Sequence, residues 1–175
     1  MFYYHVLLAI LTSCDWTSQT EEYRTIRFET FPGSNVDTIT ERLNSTVSEP
    51  SEPELDGYTF MDWYYDEDLT RKVDWPITID KDYTLYAKWE INRYTITWKN
   101  DNGEILEVDT EVEWGSTPTY DEPTPTKEDT DEYSYVFSAW SPEITPVSGD
   151  QVYIAQFIAE AKKYTVNWIV EGTYG

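Results

Sequence analysis

The sequence predicts a mainly β protein built as a tandem repeat, and three observations lead to this prediction. A short segment of alternating apolar residues recurs every 70 residues, with Ile26, Ile96 and Val166 at equivalent positions. Aromatic residues make up 17% of the chain, which together with its Thr, Val and Ile is the composition of β-strands. Proline and glycine separate the apolar segments, as turns do between short strands. The constant interval indicates that one unit was copied.

The repeat divides the chain into five segments. They are a signal-like segment (1–14), a polar tether (15–22), a first unit (23–91), a second unit (92–161) and the start of a third unit (162–175). The third segment of the repeat, Thr165–Trp168, reads as a strand without a partner, which is an aggregation hazard at a natural terminus. We therefore expect the native protein to continue beyond Gly175.

Alternation of side chains places most of the strands. In the first unit it predicts strands over residues 24–28, 57–64 and 83–89, and in the second over 94–98, 105–114, 133–140 and 152–157. Residues 36–43 have Val36, Ile39 and Leu43 at helical spacing, so a short helix and a strand both remain open there. Asn102-Gly103 predicts a hairpin with a type I′ turn.

The charge and the chemistry-bearing residues exclude several functions. The net charge of −22 repels phosphate, so we predict no nucleic-acid partner. A Cys–His nucleophile would need His5 and Cys14, which both lie in the signal-like segment. The acidic runs are read as solvated loops, and neither Asp66–Asp68 nor Asn100–Glu104 has the spacing of an EF-hand calcium site. We predict no enzymatic activity, no cofactor and no metal.

Cys14 is the predicted site of lipidation. It follows a short apolar run over residues 2–11 and the triplet Leu11-Thr12-Ser13, which resembles the lipobox of bacterial lipoproteins. The run is too short to span a bilayer but suits a signal segment. No Lys or Arg precedes it, so ordinary secretion and a chance apolar N-terminus remain alternatives. A lipid on Cys14 would hold the protein at a membrane without a spanning helix.

The aromatic residues allow two interpretations. Trp63, Trp89, Trp98 and Trp140 recur at equivalent strand positions and are read as core, in preference to a sugar-stacking platform. Tyr65 and Trp75 lie near the variable loop of the first unit. We therefore name these two as the candidate ligand contacts.

The first unit resembles a known surface repeat. The resemblance lies in Phe28–Ser34, Gly57–Tyr64, Asp68–Thr70 and Thr84–Trp89. These stretches resemble the Listeria–Bacteroides repeat of internalin B-type surface proteins, and residues 92–157 resemble a sister repeat. Pro32 and Arg24 depart from the family, which usually has Gly and Tyr there. The resemblance implies a small α+β, β-grasp-like fold, display in tandem at the cell surface, and no catalytic residues.

These inferences together predict a non-catalytic, extracellular repeat protein of the bacterial surface that acts as a spacer or adhesive stalk. Candidate partners are glycans or proteins of the host or the cell wall, and a membrane is contacted only through the lipid anchor. Two alternatives stay open. One is a carbohydrate- or host-protein-binding module that uses Tyr65 or Trp75, and the other is an accessory region of a larger surface enzyme.

Overall fold

The computed structural model describes residues 20–168 and residue 172 of the chain. All regular structure in this part of the chain is β. In order, the strands are β1 (Tyr23–Glu29), β2 (Ile39–Arg42), β3 (Thr46–Val47), β4 (Tyr58–Tyr64), β5 (Ile77–Thr78), β6 (Tyr83–Ile91), β7 (Arg93–Lys99), β8 (Ile105–Glu113), β9 (Tyr133–Ser141) and β10 (Gln151–Ala161). The mainly β prediction is therefore confirmed. The helical part of an α+β fold does not occur in the described residues, and none of them forms a helix able to cross a membrane.

Two four-stranded sheets repeat one topology. The strand order is β2-β1-β6-β4 in the first sheet and β8-β7-β10-β9 in the second. The two central strands of each sheet run parallel, and each edge strand pairs antiparallel with its neighbour. In the parallel pairs Ile26 lies opposite Tyr83 and Ile96 lies opposite Gln151. The interval of 70 residues in the sequence thus corresponds to a repeated order of strands.

The segment whose structure was left open, residues 36–43, contains a strand and no helix. β2 covers Ile39–Arg42 and pairs antiparallel with β1, with Ile39 opposite Ile26. Pairing satisfies the backbone groups of this strand and lets Ile39 pack against the core of the first unit. We call this core the first core cluster; its buried residues are Ile26, Val47, Trp63, Val73, Ile77, Ile79 and Leu85. A helix there would have only three apolar positions and no neighbouring strand.

The hairpin between β7 and β8 has a different turn from the one predicted. Gly103 has a φ of +89°, whereas Asn102 is not among the described non-glycine residues with positive φ. A type I′ turn needs positive φ at both central residues, so that prediction is wrong. Instead, Gly103 N–H donates to Asn100 O at 3.0 Å, and Asn100 N–H donates to Glu104 O at 2.8 Å. This is a longer hairpin connection in which glycine alone occupies the left-handed position.

The third copy of the repeated segment is not a strand. Residues 162–168 have no regular structure, and Val166 and Trp168 are 68% and 88% exposed. β1 and β7 each pair with the last strand of their own sheet, which lies far along the chain. Residues 162–168 pair with no strand among the described residues, so their backbone groups are not ordered into a ladder.

In each sheet, the aspartate just before the last strand in the chain accepts a backbone hydrogen bond from the first strand. The carboxylate of Asp82 accepts a hydrogen bond from Thr25 N–H at 2.8 Å, and that of Asp150 accepts one from Thr95 N–H at the same distance. Thr25 and Thr95 occupy equivalent positions in β1 and β7. The bond from Thr25 is the main reason that the pKa of Asp82 lies below its ordinary value.

A left-handed residue follows β2 and β8 in each unit. Asn44 has a φ of 67° and Gly115 a φ of 77°. Their N–H groups donate to Ile79 O and Val147 O, at 2.8 and 2.7 Å. Asparagine tolerates positive φ better than most residues, and this tolerance gives Asn44 a structural role.

Candidate functional site

The repeated tryptophans form the cores of the two sheets. Trp63 and Trp98 are fully buried, which confirms the core interpretation for these two residues. Trp89 and Trp140 are half-buried and contact other aromatic rings. Their contacts with the rings of the core are those of packing residues, as the core interpretation expects.

Two aromatic ring pairs pack alike in the two units. The Phe28–Trp63 and Trp98–Trp140 ring pairs have centroids 4.7 and 4.8 Å apart, with interplanar angles of 61° and 63°. A second pair in each cluster, Phe60–Trp63 and Phe137–Trp140, has centroids 5.3 Å apart. Such edge-to-face pairs add stabilisation beyond burial, about 0.5–1.5 kcal/mol each. Each unit therefore has its own aromatic core.

Tyr65 and Trp75 are less exposed than residues on an open loop. Both are half-buried and pack against the first core cluster. The indole N–H of Trp75 is buried without a hydrogen-bond partner in the described residues. The Tyr65 ring lies 5.4 Å from the Tyr83 ring, with the Arg71 guanidinium 5.8 Å from its centroid. The structure thus places Tyr65 at an accessible cleft, whereas Trp75 is mainly a packing residue.

The predicted lipidation site, Cys14, lies outside the described residues. So do the rest of the signal-like segment, including His5, and residues 15–19 of the tether. Lipidation of Cys14 therefore stays a prediction.

In the acidic loop after β4, the Asp66 carboxylate stabilises the local fold through hydrogen bonds. Asp66 accepts hydrogen bonds from Thr70 N–H, from the Thr70 hydroxyl and from Arg71 N–H, at 2.8–2.9 Å. These bonds, the one from Thr70 N–H first, keep the pKa of Asp66 below its ordinary value. Within residues 20–168 no group of three or more His, Cys, Asp or Glu side chains is arranged to hold a metal ion.

The joint between the two sheets consists of a single residue that is held by several hydrogen bonds. Asn92 alone separates β6 from β7. Its N–H donates to Gly57 O at 2.9 Å, its side-chain oxygen accepts from the Thr59 hydroxyl at 2.7 Å, and its carbonyl accepts from Trp114 N–H at 2.9 Å. Three hydrogen bonds to Asn92 thus link it to β4 of the first sheet and to the end of β8 in the second.

An aromatic side chain closes the same joint. The Trp114 indole lies against Gly57, so a Cβ at position 57 would stand 2.0 Å from Trp114 Cδ2. Gly57 has a φ of +78°, which also favours glycine. The Tyr58 and Trp114 rings have centroids 6.5 Å apart. Gly57 is therefore required both by its backbone angle and by the ring from the second unit.

The arrangement can transmit orientation from one sheet to the next. A one-residue connection leaves few backbone angles to rotate, and the bonds to Asn92 together with the packing of Trp114 restrain them. Sequence reasoning placed Gly57 only at the start of a strand and read Trp114 as the end of another. An available signal was the absence of any Gly, Pro or Ser linker between residues 89 and 94.

Comparison with known proteins agrees with the resemblance of the first unit. Residues 25–88 match the family model of the Listeria–Bacteroides repeat domain. A stretch of 67 residues, 36% of this chain, is 39% identical to internalin H of Listeria monocytogenes and covers 12% of that protein.

Longer matches extend across both units. Two proteins of Evansella cellulosilytica, provisionally named a membrane protein and a Gly-rich membrane protein, are 36% and 35% identical over 156 residues. Each match covers 85% of this chain but only 23% and 17% of the relative, so the chain spans less than a quarter of their length. A solved structure, domains 3–4 of the Streptococcal High Identity Repeats in Tandem from a cell surface protein, aligns with 80% of this chain and 99% of its own, at 16% identity and a TM-score of 0.31.

Proposed function

We propose that this chain, whose residues 25–88 match the Listeria–Bacteroides repeat domain, is a non-catalytic repeat protein of the bacterial cell surface that acts as a spacer. Units 23–91 and 92–161 would be its rigid modules. The supporting observation is the joint at Asn92, which links the two sheets through one residue and packs Trp114 on Gly57. A spacer has to keep a set distance and direction, and such a joint limits bending.

The charge of the chain fits this function. A net charge of −22 makes neighbouring copies repel one another, which keeps stalks on a crowded surface apart. The acidic side chains described above as hydrogen-bond acceptors serve the fold, and none of them forms a metal site within residues 20–168. These observations favour a structural role over a catalytic one.

Rigidity of the joint is tested by distances between spin labels. Cys14 is replaced by Ser, and label pairs are attached at exposed positions 40 and 138, one in each sheet, and at 40 and 61, both in the first sheet. A spacer predicts that the distance distribution between sheets is nearly as narrow as the distribution within one sheet. A broad distribution between the sheets, with a narrow one inside the first, would contradict the proposal.

We further propose that Cys14 anchors the protein through a lipid and that residues 15–22 form the tether. Support comes from the apolar run and the triplet before Cys14. A bacterium that expresses the chain is fed an alkyne-tagged fatty acid, and the purified protein is tested for label. Incorporation that disappears in Cys14→Ser, but not in Ser13→Ala, is expected. Equal labelling of both variants, or no labelling of the unaltered chain, would refute lipidation of Cys14.

A further inference from the structure

β4 and β9 form equivalent edges of the two sheets. They stand at the same end of the two strand orders, and β4 pairs with β6 as β9 pairs with β10. Both pairings are antiparallel, and their register shifts at the same place, after Phe60 in β4 and after Phe137 in β9. In this register Trp63 and Trp140 are equivalent residues, each opposite an alanine of the neighbouring strand.

In the first unit, a later segment of the chain covers the edge of β4. Residues 71–73 form this segment, which we call the edge cover. Lys72 lies opposite Tyr64 in an antiparallel bridge, and the next residue, Val73, donates its N–H to the carbonyl of β4 at 2.8 Å, on Trp63. Val73 is 1% exposed and Trp63 is fully buried, so the edge cover closes the core as well as the edge.

The second unit lacks an edge cover in the part of the chain that the structure describes. Ile79 and Val147 are equivalent, because each carbonyl accepts the bond from the left-handed residue of its own unit. Trp63 precedes Ile79 by 16 positions. Trp140 precedes Val147 by only 7, so the stretch that carries the edge cover has no counterpart. Among the described residues no N–H from outside the second sheet donates to Trp140 O, and Trp140 is half-buried where Trp63 is fully buried.

The uncovered strand is also the edge strand that carries no charge. β9 consists of Tyr, Ser, Val, Phe, Ala and Trp, whereas β2, β4 and β8 each contain at least one carboxylate. Charged side chains are one of the means by which proteins protect an edge from further pairing. Tyr135 and Phe137 alternate along the strand on the face of Trp140, and all three are half-buried. The edge of β9 thus combines free backbone groups with partly open aromatic rings.

We propose that the edge of β9 binds an extended peptide segment of another protein, which adds to the second sheet as an antiparallel strand. The first unit supplies the pattern, in which an aliphatic residue in the place of Val73 donates its N–H to Trp140 O and packs on the ring. Pro142 has no N–H, so the added strand runs from Trp140 towards the start of β9 and not beyond its end. In this mode of recognition, backbone bonds give affinity and alternate side chains give specificity.

The charge near β9 determines what the ends of the segment carry. Antiparallel pairing brings the C-terminal end of the added strand to the start of β9, and carboxylates precede that point at positions 128, 129, 131 and 132. Two lysines near this run are already paired, Lys127 with Asp101 and Lys162 with Asp129. Lys or Arg at the C-terminal end of the segment is therefore favoured. A second copy of this chain, with its net charge of −22, is opposed by the same charge.

The test is a titration of the whole isotope-labelled chain, followed by the shifts of its backbone amide signals in NMR. The peptide is acetyl-Ser-Val-Thr-Val-Thr-Val-Thr-Lys-Lys-amide, whose first valine takes the place of Val73. We expect saturable shifts at residues 133–141 and none at 58–64, because the edge cover already occupies that edge. Two altered peptides are controls. One is N-methylated at the first valine and loses its N–H, the other ends in Glu-Glu, and each should bind at least about threefold more weakly.

One variant transfers the specificity of the first edge to the second. Asp62 of β4 forms an ion pair with Lys72, and Ala139 stands at the equivalent position of β9. A second peptide therefore begins with acetyl-Lys-Val in place of acetyl-Ser-Val. In Ala139→Asp, the preference for the lysine peptide should rise about threefold over that of the unaltered chain. Thr110→Asp adds the same charge to β8, at the opposite edge of the sheet, and should leave the preference unchanged.

Several results would overturn the proposal. They are no saturable shift at about 10 mM peptide, equal binding of the N-methylated peptide, shifts centred on β8, or an unchanged preference in Ala139→Asp. Shifts at residues 133–141 that grow with the concentration of the chain alone would assign the edge to a second copy instead. The spacer function would stand in every case, because the joint at Asn92 does not include these residues.

Discussion

Replacing Gly57 by alanine should uncouple the two sheets while leaving both cores intact. A Cβ at this position would stand 2.0 Å from Trp114 Cδ2, 2.4 Å from Cε3 and 2.5 Å from Cε2, all inside the closest approach of real carbon atoms. These three atoms belong to one rigid ring, so the clash is relieved only if the Trp114 side chain moves as a whole. Its movement would carry away the packing on Tyr58 and the N–H bond to Asn92.

The magnitude follows from the interactions that this movement removes. Placing alanine at a φ of +78° costs about 1–2 kcal/mol. Loss of the Tyr58–Trp114 contact adds about 0.5–1.5 kcal/mol, and a broken hydrogen bond to Asn92 adds about 1 kcal/mol. Gly57→Ala should therefore lower the free energy of unfolding by about 2.5–4.5 kcal/mol, and it should broaden the distance distribution between labels in the two sheets.

Gly103→Ala is the matched control for this substitution. Gly103 has a φ of +89°, and a Cβ there would meet no atom within 4 Å. It should cost only the backbone term of about 1–2 kcal/mol and leave the joint unchanged. Urea unfolding gives the free energies, and the spin-label distances report on the joint.

A double-mutant comparison provides the refuting result. With Trp114→Ala in place, the ring is gone and Gly57→Ala should cost no more than Gly103→Ala. If Gly57→Ala costs the same with and without the Trp114 ring, and the distance distribution stays narrow, then Trp114 does not lock the joint. The supporting argument for the spacer would then be lost.

Three further predictions test the fold. The charged carboxylate of Asp82 stabilises the fold, and this stabilisation is fully present above the unfolded pKa of 3.8. It is lost as the pH falls through the lower folded pKa. Asp82→Asn should therefore weaken the dependence of the melting temperature on acid pH. Burial raises the pKa of Glu107 above its ordinary value of 4.5, so the protonated carboxyl stabilises the fold. That stabilisation is fully present below pH 4.5 and is lost as the pH rises through the folded pKa. Glu107→Gln should remove this decrease of the melting temperature in the same pH series. Trp63→Ala should cost about 3–5 kcal/mol in urea unfolding, against almost nothing for the 88% exposed Trp168.

Each of these expectations has a contrary outcome. An unchanged acid limb in Asp82→Asn would mean that the bond to Thr25 does not stabilise the charged carboxylate. A wild-type profile in Glu107→Gln would mean that another group causes the loss at higher pH. Equal costs at positions 63 and 168 would contradict the buried aromatic core.

The long strands could be predicted from the sequence because the alternation of buried and exposed side chains is a local pattern. Tyr83, Leu85, Ala87 and Trp89 alternate along β6, and Leu85 is fully buried. The repeat supplied a second indication, because residues that recur 70 positions apart are expected to occupy equivalent positions in the two sheets. This combination identified the seven long strands β1, β4 and β6–β10 and the two buried tryptophans, but it left β2 open, missed the two-residue strands β3 and β5, and wrongly added a strand at residues 165–168.

The features that sequence reasoning missed depend on residues far apart in the chain. The bond from Thr25 to Asp82 and the contact of Gly57 with Trp114 both join separate strands, and no local pattern predicts either. The turn at Gly103 was misjudged because Asn-Gly favours, but does not dictate, positive φ at both residues. The half-buried state of Trp75 arises from packing against the first core cluster, which its loop position does not reveal.

The two units preserve backbone geometry more strictly than residue identity, and this explains where new features arise. Asn44 and Gly115 share the left-handed conformation, and the residue before each, Leu43 or Trp114, donates its N–H to the carbonyl of the residue that directly precedes the first strand of its sheet, Glu22 or Asn92. The backbone plan fixes that position, and the Trp114 side chain reaches from it to Gly57 of the neighbouring unit. The joint is thus a property of two adjoining units together, which is why neither unit's own sequence pattern contains it.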